Sequence, residues 1–222
     1  EGVRAAQARI NPSLTNLCHF SWPMTYPDNL PTQTSGRLNR VAMICGGHTR
    51  FRSSDTGNGY ALRYRALVDP EIRGHVDLYG HGWDINKRDM LHPLSILRKL
   101  RVRWLHAPQP VTGKLEVLAR YNFALCAENQ AIDGYVTEKV VDCLLAGTIP
   151  IYWGASDLRD YVPENCFIRV TNGDYGRSIV EALTMSEAEV MRFQSRIAAF
   201  IRSEVTASFP KSYLELLNTY AT

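Results

Sequence analysis

Two short apolar runs, NFALC at 122–126 and IPIYW at 149–153, bracket a single helical pattern, and that spacing limits what the chain can fold into. Between them lies a polar loop at 127–135 with Glu128, Asn129, Asp133 and Gly134. A helix pattern then opens at Thr137, which has the side chain of an N-cap. Val140, Val141, Leu144 and Leu145 repeat along one helical face, and Gly147 and Pro150 stand where a helix should have stopped. Two strands joined through one helix cannot form a hairpin, so they are expected to lie parallel in one sheet with a right-handed crossover. The loop and the helix start then fall at the carboxyl edge of the sheet, where open α/β folds bind ligands.

The first turn of this helix carries Glu138 and Lys139. Unpaired amides and the positive end of the helix dipole favour an anion there, and a lysine adds a full charge. Glu138 offers acceptor oxygens suited to vicinal hydroxyls such as those of a sugar. Together they suggest a pocket for a sugar nucleotide diphosphate. Spacing alone also fits a solvated first turn with no ligand.

The remainder reads as support for this unit. At 222 residues and 45% hydrophobic, the chain can bury one α/β domain or at most two small ones. A net charge of +3 without a dense basic stripe argues against a nucleic-acid binder. The five cysteines, Cys18, Cys45, Cys126, Cys143 and Cys166, are scattered in apolar runs, which fits reduced core residues better than a disulfide frame or a zinc site. No signal peptide and no long apolar span stand out, so a soluble chain is expected.

Taken in order, residues 1–17 hold a weak helical pattern, 18–31 contain three prolines, and 32–40 read as a linker. VAMIC at 41–45 is a buried-strand candidate, and Gly46-Gly47 after it would let the backbone approach a ligand closely. His48 reads as a loop histidine. Gly59–Val68 reads as a helix and 76–82 as a strand and turn. Leu91, Leu94, Leu97 and Leu100 recur at threefold spacing, which predicts a structural stripe. His92 and His106 bracket it without a metal partner at ligand spacing. Residues 166–170 suggest a last strand followed by a polar turn at 171–175. Ser186 and Glu189 form a capping box, and the helix they open carries Val190, Phe193, Ile197, Phe200 and Ile201 on one side. That face is expected to pack on the body of the protein or on a missing first domain. Residues 213–220 suggest a short closing helix.

The central stretch resembles the donor-binding motif of the α-1,3/4-fucosyltransferases of glycosyltransferase family 10. The matching pattern is Leu-Cys-x-Glu-Asn, a short loop, Gly-Tyr-Val-Thr-Glu-Lys, a helix, and Pro-Ile-Tyr-Trp-Gly. Here it is carried by Leu125, Cys126, Glu128, Asn129, 134–139 and 150–154, and the similarity runs on through DYVPENCFI to about Ile168. Tyr60 and Arg63 match the family's Tyr-x-x-Arg, 77–83 its Asp-Leu-Tyr-Gly-x-Gly-Trp, and Lys114 and Leu118 its Lys-x-x-x-Leu. FSWPMTYP at 20–27 resembles the family's passage between domains, and is equally readable as a surface arm. The turn 46–48 departs from the family's small-Asn-Lys, so His48 inherits no role.

The resemblance implies a Rossmann-like, doubly wound parallel α/β sheet, the C-terminal half of a GT-B glycosyltransferase. Residues 1–36 would be an arm or the end of the interdomain passage, and 37–222 the GDP-sugar-binding domain. It implies an inverting transfer of L-fucose from GDP-fucose to a glycan hydroxyl. Arg63 and Lys139 would hold the diphosphate, with Arg65 as the alternative arginine. Glu138 would bond ribose or fucose hydroxyls, Asn129 and Tyr135 would line the pocket, and Glu128 would fix the loop. No metal is required, although Mn²⁺ or Mg²⁺ stimulates some relatives. The catalytic base would come from an N-terminal domain absent from this sequence. The expected setting is the bacterial cytoplasm, with contact to the inner face of the membrane left open. The other readings are a non-catalytic nucleotide-sugar-binding module and a transferase with another nucleotide-sugar donor.

Overall fold

A computed structural model describes residues 36–49, 51, 57–87, 89–111 and 113–202. The arm at 1–35, Cys18 and the closing helix at 213–220 lie outside the described residues. Five strands form one sheet: β1 (Leu38–Ile44), β2 (Val76–Tyr79), β3 (Tyr121–Ala127), β4 (Ile149–Trp153) and β5 (Ile168–Arg169). Their order is β2-β1-β3-β4-β5, and every neighbouring pair is parallel. Around them run α1 (Gly59–Val68), α2 (Pro93–His106), α3 (Lys114–Leu118), α4 (Glu138–Leu145), α5 (Tyr175–Leu183) and α6 (Glu187–Arg202). Helix α1 packs with α2 and α5, whereas α3, α4 and α6 pack together on the other side, giving three layers.

The interior strands explain their own composition. Both faces of β3 and β4 are covered, so Phe123, Ile149, Ile151 and Tyr152 are buried and the runs carry no polar alternation. Each such large side chain contributes about 1.5–3 kcal/mol by leaving water. The predicted β3–α4–β4 crossover is present, in the predicted parallel arrangement. Its helix stops where the glycine predicted: the amides of Gly147 and Thr148 donate to the carbonyls of Leu144 and Cys143, with Gly147 at φ +67°. That left-handed residue closes the helix and turns the chain into β4.

Three expectations need correcting. Strand β1 begins at Leu38, so the end of the supposed linker is already paired to Tyr121. The polar turn after β5 ends one residue earlier than predicted, because Asp174 caps α5 by accepting from the Arg177 amide, and Tyr175, Ser178, Ile179 and Ala182 turn inward. The leucine stripe points the other way from a structural stripe. Leu91, Leu94 and Leu97 are 82%, 66% and 62% exposed, while Ser95, Lys99 and Val102 form the buried side of α2. Polar anchors set this orientation. Lys99 Nζ lies 2.7 Å from Asp89 Oδ2, both side chains buried, Ser95 donates to the same aspartate, and the His106 ring contacts the carbonyls of Leu67 and Val76.

The capping box is present, with the Ser186 amide donating to Glu189 and the Glu189 amide to Ser186 Oγ. Helix α6 buries Val190 and Ile197 against the body, as its pattern predicted.

Candidate functional site

Strand order places the site. The chain steps from β1 outward to β2 and then crosses back to β3, so the crevice beyond the carboxyl ends of β1 and β3 lies at a reversal of winding. A cavity of about 590 Å³ occupies that crevice. Arg63 from α1, Asn129 from the loop after β3, and Glu138 and Lys139 from the first turn of α4 all line it. Four residues singled out from the sequence, from three separate segments, therefore meet in one cavity. Tyr135 does not line it. It sits half-buried where the loop turns toward α4, its amide donating to the Ile132 carbonyl.

Arg63 reaches the cavity because α1 starts against the β3 loop. The Gly59 amide donates to the Asn129 carbonyl, and a Cβ on Gly59 would stand 1.7 Å from the Glu128 carbonyl oxygen, so only glycine allows this approach. One turn later the Arg63 guanidinium donates to Asn129 Oδ1 at 2.6 Å and to the Gly59 carbonyl at 3.1 Å, and lies 4.6 Å over the Tyr60 ring. Arg63 is buried and lines the cavity, whereas Arg65 is exposed and does not. Among the described residues no ion pair involves Arg63. A buried guanidinium held by carbonyl oxygens, a ring face and the Cys45 thiol, with no carboxylate paired to it among the described residues, presents its charge to whatever enters the cavity.

Lys139 is held differently. Its Nζ donates to Glu128 Oε2 at 2.9 Å and to Thr137 Oγ1 at 2.8 Å. Glu128 has no exposed surface, and it also accepts from the Thr137 amide and the Thr137 hydroxyl. Thr137 thus occupies the N-cap position, but its hydroxyl is committed to Glu128 and caps no amide of α4. That leaves the amides of the first turn without a side-chain cap. Burial works to lower the Lys139 pKa, and the charge and hydrogen bond of Glu128 more than offset it, so the net shift is upward. The lysine therefore stays protonated, though part of its field is spent on Glu128.

Other wall residues were not read as site residues in the sequence. Lys114 of α3 pairs with Asp142 of α4, and both line the cavity. The signal was available: consecutive crossovers on one side of the sheet bring α3 beside α4. His48 also lines it, its ring edge-on to Tyr60 at 5.2 Å. Cys45, at the end of β1, has its thiol pushed up to about 11 by burial, against the pull of Arg63, and is a neutral wall group at pH 7. Gly46 lines the cavity, but Gly47 serves another purpose than predicted: its Cβ would lie 2.2 Å from the Gly82 carbonyl oxygen, so it makes room for the neighbouring loop. Among the described residues no cluster of three His, Cys, Asp or Glu is arranged to hold a metal ion.

The fold is a parallel α/β sheet with a cavity at the winding reversal, lined by Arg63, Lys114 and Lys139 together with Glu138 and Asp142. Residues 72–196, more than half of the chain, match the model of glycosyltransferase family 10 (fucosyltransferase), C-terminal part, and the chain belongs to that family. An alpha-(1,3)-fucosyltransferase of Helicobacter pylori is 46% identical over 94 residues, covering 36% of this chain and 20% of the relative. GDP-fucose protein O-fucosyltransferase 3 of Bos taurus is 29% identical over 101 residues, covering 45% of this chain and 21% of the relative. The chain thus matches about a fifth of the length of these curated relatives. A UDP-forming alpha,alpha-trehalose-phosphate synthase from Burkholderia vietnamiensis shares the fold, with a TM-score of 0.52, 12% identity, and 84% of this chain and 43% of that one covered. The parallel α/β sheet is the Rossmann-like, C-terminal half of the GT-B architecture.

Proposed function

We propose that this chain is the donor half of an inverting fucosyltransferase and that its cavity holds GDP-fucose. The observation that carries the reading is the buried Arg63, without an ion-pair partner among the described residues, in the same cavity as Lys139 and the start of α4. Two cations from separate segments and a row of uncapped amides suit a diphosphate. Glu138, about a third exposed at the cavity wall, would accept hydrogen bonds from ribose or fucose hydroxyls. Asn129 would act through Arg63, orienting the guanidinium by the 2.6 Å hydrogen bond.

In the reaction, an acceptor hydroxyl attacks C1 of the fucosyl group as the bond from C1 to the diphosphate oxygen breaks. The hydroxyl proton passes to a base supplied from outside this domain, and GDP leaves with the bonding electrons. Arg63, Lys139 and the α4 amides would stabilise the charge growing on the departing diphosphate, at about 3 kcal/mol per well-placed donor. Because they are fixed by Asn129 and Glu128 beforehand, little reorganisation is needed at the transition state. Two fixed cations and the helix dipole make a divalent ion unnecessary for this step in the proposed mechanism.

Thermal-shift measurements with GDP, GDP-fucose, GDP-mannose and UDP-N-acetylglucosamine test the assignment. Stabilisation by GDP and more strongly by GDP-fucose is expected. Stabilisation by the UDP-sugar and not by GDP would remove the fucosyl assignment. The second reading is donor binding without transfer. GDP-fucose binding accompanied by neither transfer nor hydrolysis, whether or not the remaining part of a full-length relative is added, would establish it.

A further inference from the structure

Helix α2 is amphipathic in the reverse sense. Its buried side carries Ser95 and Lys99, and its outer side carries Leu94, Leu97, Leu100 and Trp104, which are 66%, 62%, 48% and 83% exposed. Met90 and Leu91, just before the helix, extend the same surface at 69% and 82% exposed. The helix cannot roll to hide these side chains. Doing so would withdraw Lys99 from Asp89 and Arg98 from the carbonyls of Thr49 and Phe51, to which its Nη1 donates at 2.8 Å each. An apolar surface of this size, fixed outward by buried polar anchors, calls for an occupant.

Charge indicates which. Residues 84–106 carry six lysines and arginines against two aspartates, a net of +4, whereas the whole chain carries only +3. The remainder is therefore slightly acidic; within the segment Lys99 and Arg98 turn inward to Asp89 and to the carbonyls of Thr49 and Phe51, which leaves Lys87 and Arg101 as exposed positive charges. Of the two aspartates, Asp89 is buried against Lys99 and Asp84 pairs with Arg103. Lys87 and Arg101 are exposed, and Arg101, one turn after Leu97 on α2, stands on the same outer side as the leucines. At about 1.5 Å per residue the 14-residue helix is about 21 Å long, and none of the described helices is long and apolar enough to cross a membrane. We propose that α2 is a peripheral docking face for an anionic lipid surface. The leucines enter the boundary between headgroups and acyl chains, the Trp104 ring lies at the interface, and Lys87 and Arg101 reach outward to lipid phosphates. None of the α2 residues lines the donor cavity, so this face stands apart from the nucleotide assignment.

The test is sedimentation of the full chain with vesicles of phosphatidylcholine alone and of phosphatidylcholine mixed with phosphatidylglycerol, at low and high salt. Partitioning about tenfold stronger onto the anionic vesicles is expected, falling several-fold with added salt. The double variant Leu97→Ser, Trp104→Ser should lose that partitioning about tenfold or more, and Arg101→Gln about severalfold, with thermal midpoints and GDP affinity unchanged. Absence of anionic-vesicle binding, equal binding to neutral vesicles, or binding unaltered by the double variant would each overturn the proposal. Self-association that the double variant abolishes, without vesicle binding, would overturn it too and assign the face to a second copy.

Discussion

Lys139 Nζ lies 2.9 Å from Oε2 of Glu128, a carboxylate with no exposed surface that also accepts both the amide and the hydroxyl of Thr137. A single buried group therefore fixes the lysine, the residue before the helix and the end of β3. Glu128→Gln keeps the shape but removes the charge and turns a donor toward three existing donors. Breaking a buried pair in this way should cost on the order of 3 kcal/mol and lower the thermal midpoint by roughly 10 °C. Calorimetry on the variant checks this, and an unchanged midpoint would mean that the carboxylate anchors nothing.

Gly59→Ala tests the contact that delivers Arg63. With a Cβ 1.7 Å from the Glu128 carbonyl oxygen, α1 must move off the β3 loop, carrying the arginine with it. A destabilisation of about 3 kcal/mol, at the upper end for overpacking, and weaker GDP binding are expected in chemical denaturation and titration. Gly57→Ala, where nothing lies within 4 Å of the added atom, is the control and should behave as wild type.

The Asp89–Lys99 pair makes the seating of α2 sensitive to acid. Lys99 above all, with the Asn86 amide and the Ser95 hydroxyl, holds the Asp89 carboxyl down at about 2 against the opposing effect of burial. A carboxyl whose pKa is lower folded than unfolded contributes stability above its ordinary value of about 4 and loses that contribution as the pH falls toward 2. Amide exchange in α2 should therefore speed up between those two values, and Asp89→Asn should already be less stable at neutral pH and show a flatter acid limb. Parallel acid profiles for the two proteins would contradict the assignment.

Some of this was legible before any coordinates. Continuous apolar runs at 122–126 and 149–153 could only be covered strands, and one helix between them dictated a parallel crossover, so the sheet and the position of the site followed from local pattern. Lys139 was picked out by a dense motif and Arg63 by the sparser Tyr60-x-x-Arg63 match, and both line the same cavity. The orientation of α2 was hidden because threefold leucine spacing reads the same whether the leucines face in or out. What decides it is a lysine–aspartate pair ten residues apart together with partners at Thr49 and Leu67. The Thr137 hydroxyl was misread for a similar reason: a good capping side chain was claimed by Glu128, nine residues earlier. Lys114 and Asp142 are separated by 28 residues and meet only once the crossovers are built.

The central claim is that Arg63 and Lys139 together grip a diphosphate. Titration of GDP into wild type and into Arg63→Ala, Lys139→Ala and Arg65→Ala, each with its thermal midpoint recorded, tests it most directly. Charged hydrogen bonds worth about 1.5–3 kcal/mol predict about tenfold or greater weakening for each of the first two and no change for the exposed Arg65. GDP affinity equal to wild type in both Arg63→Ala and Lys139→Ala would contradict the account.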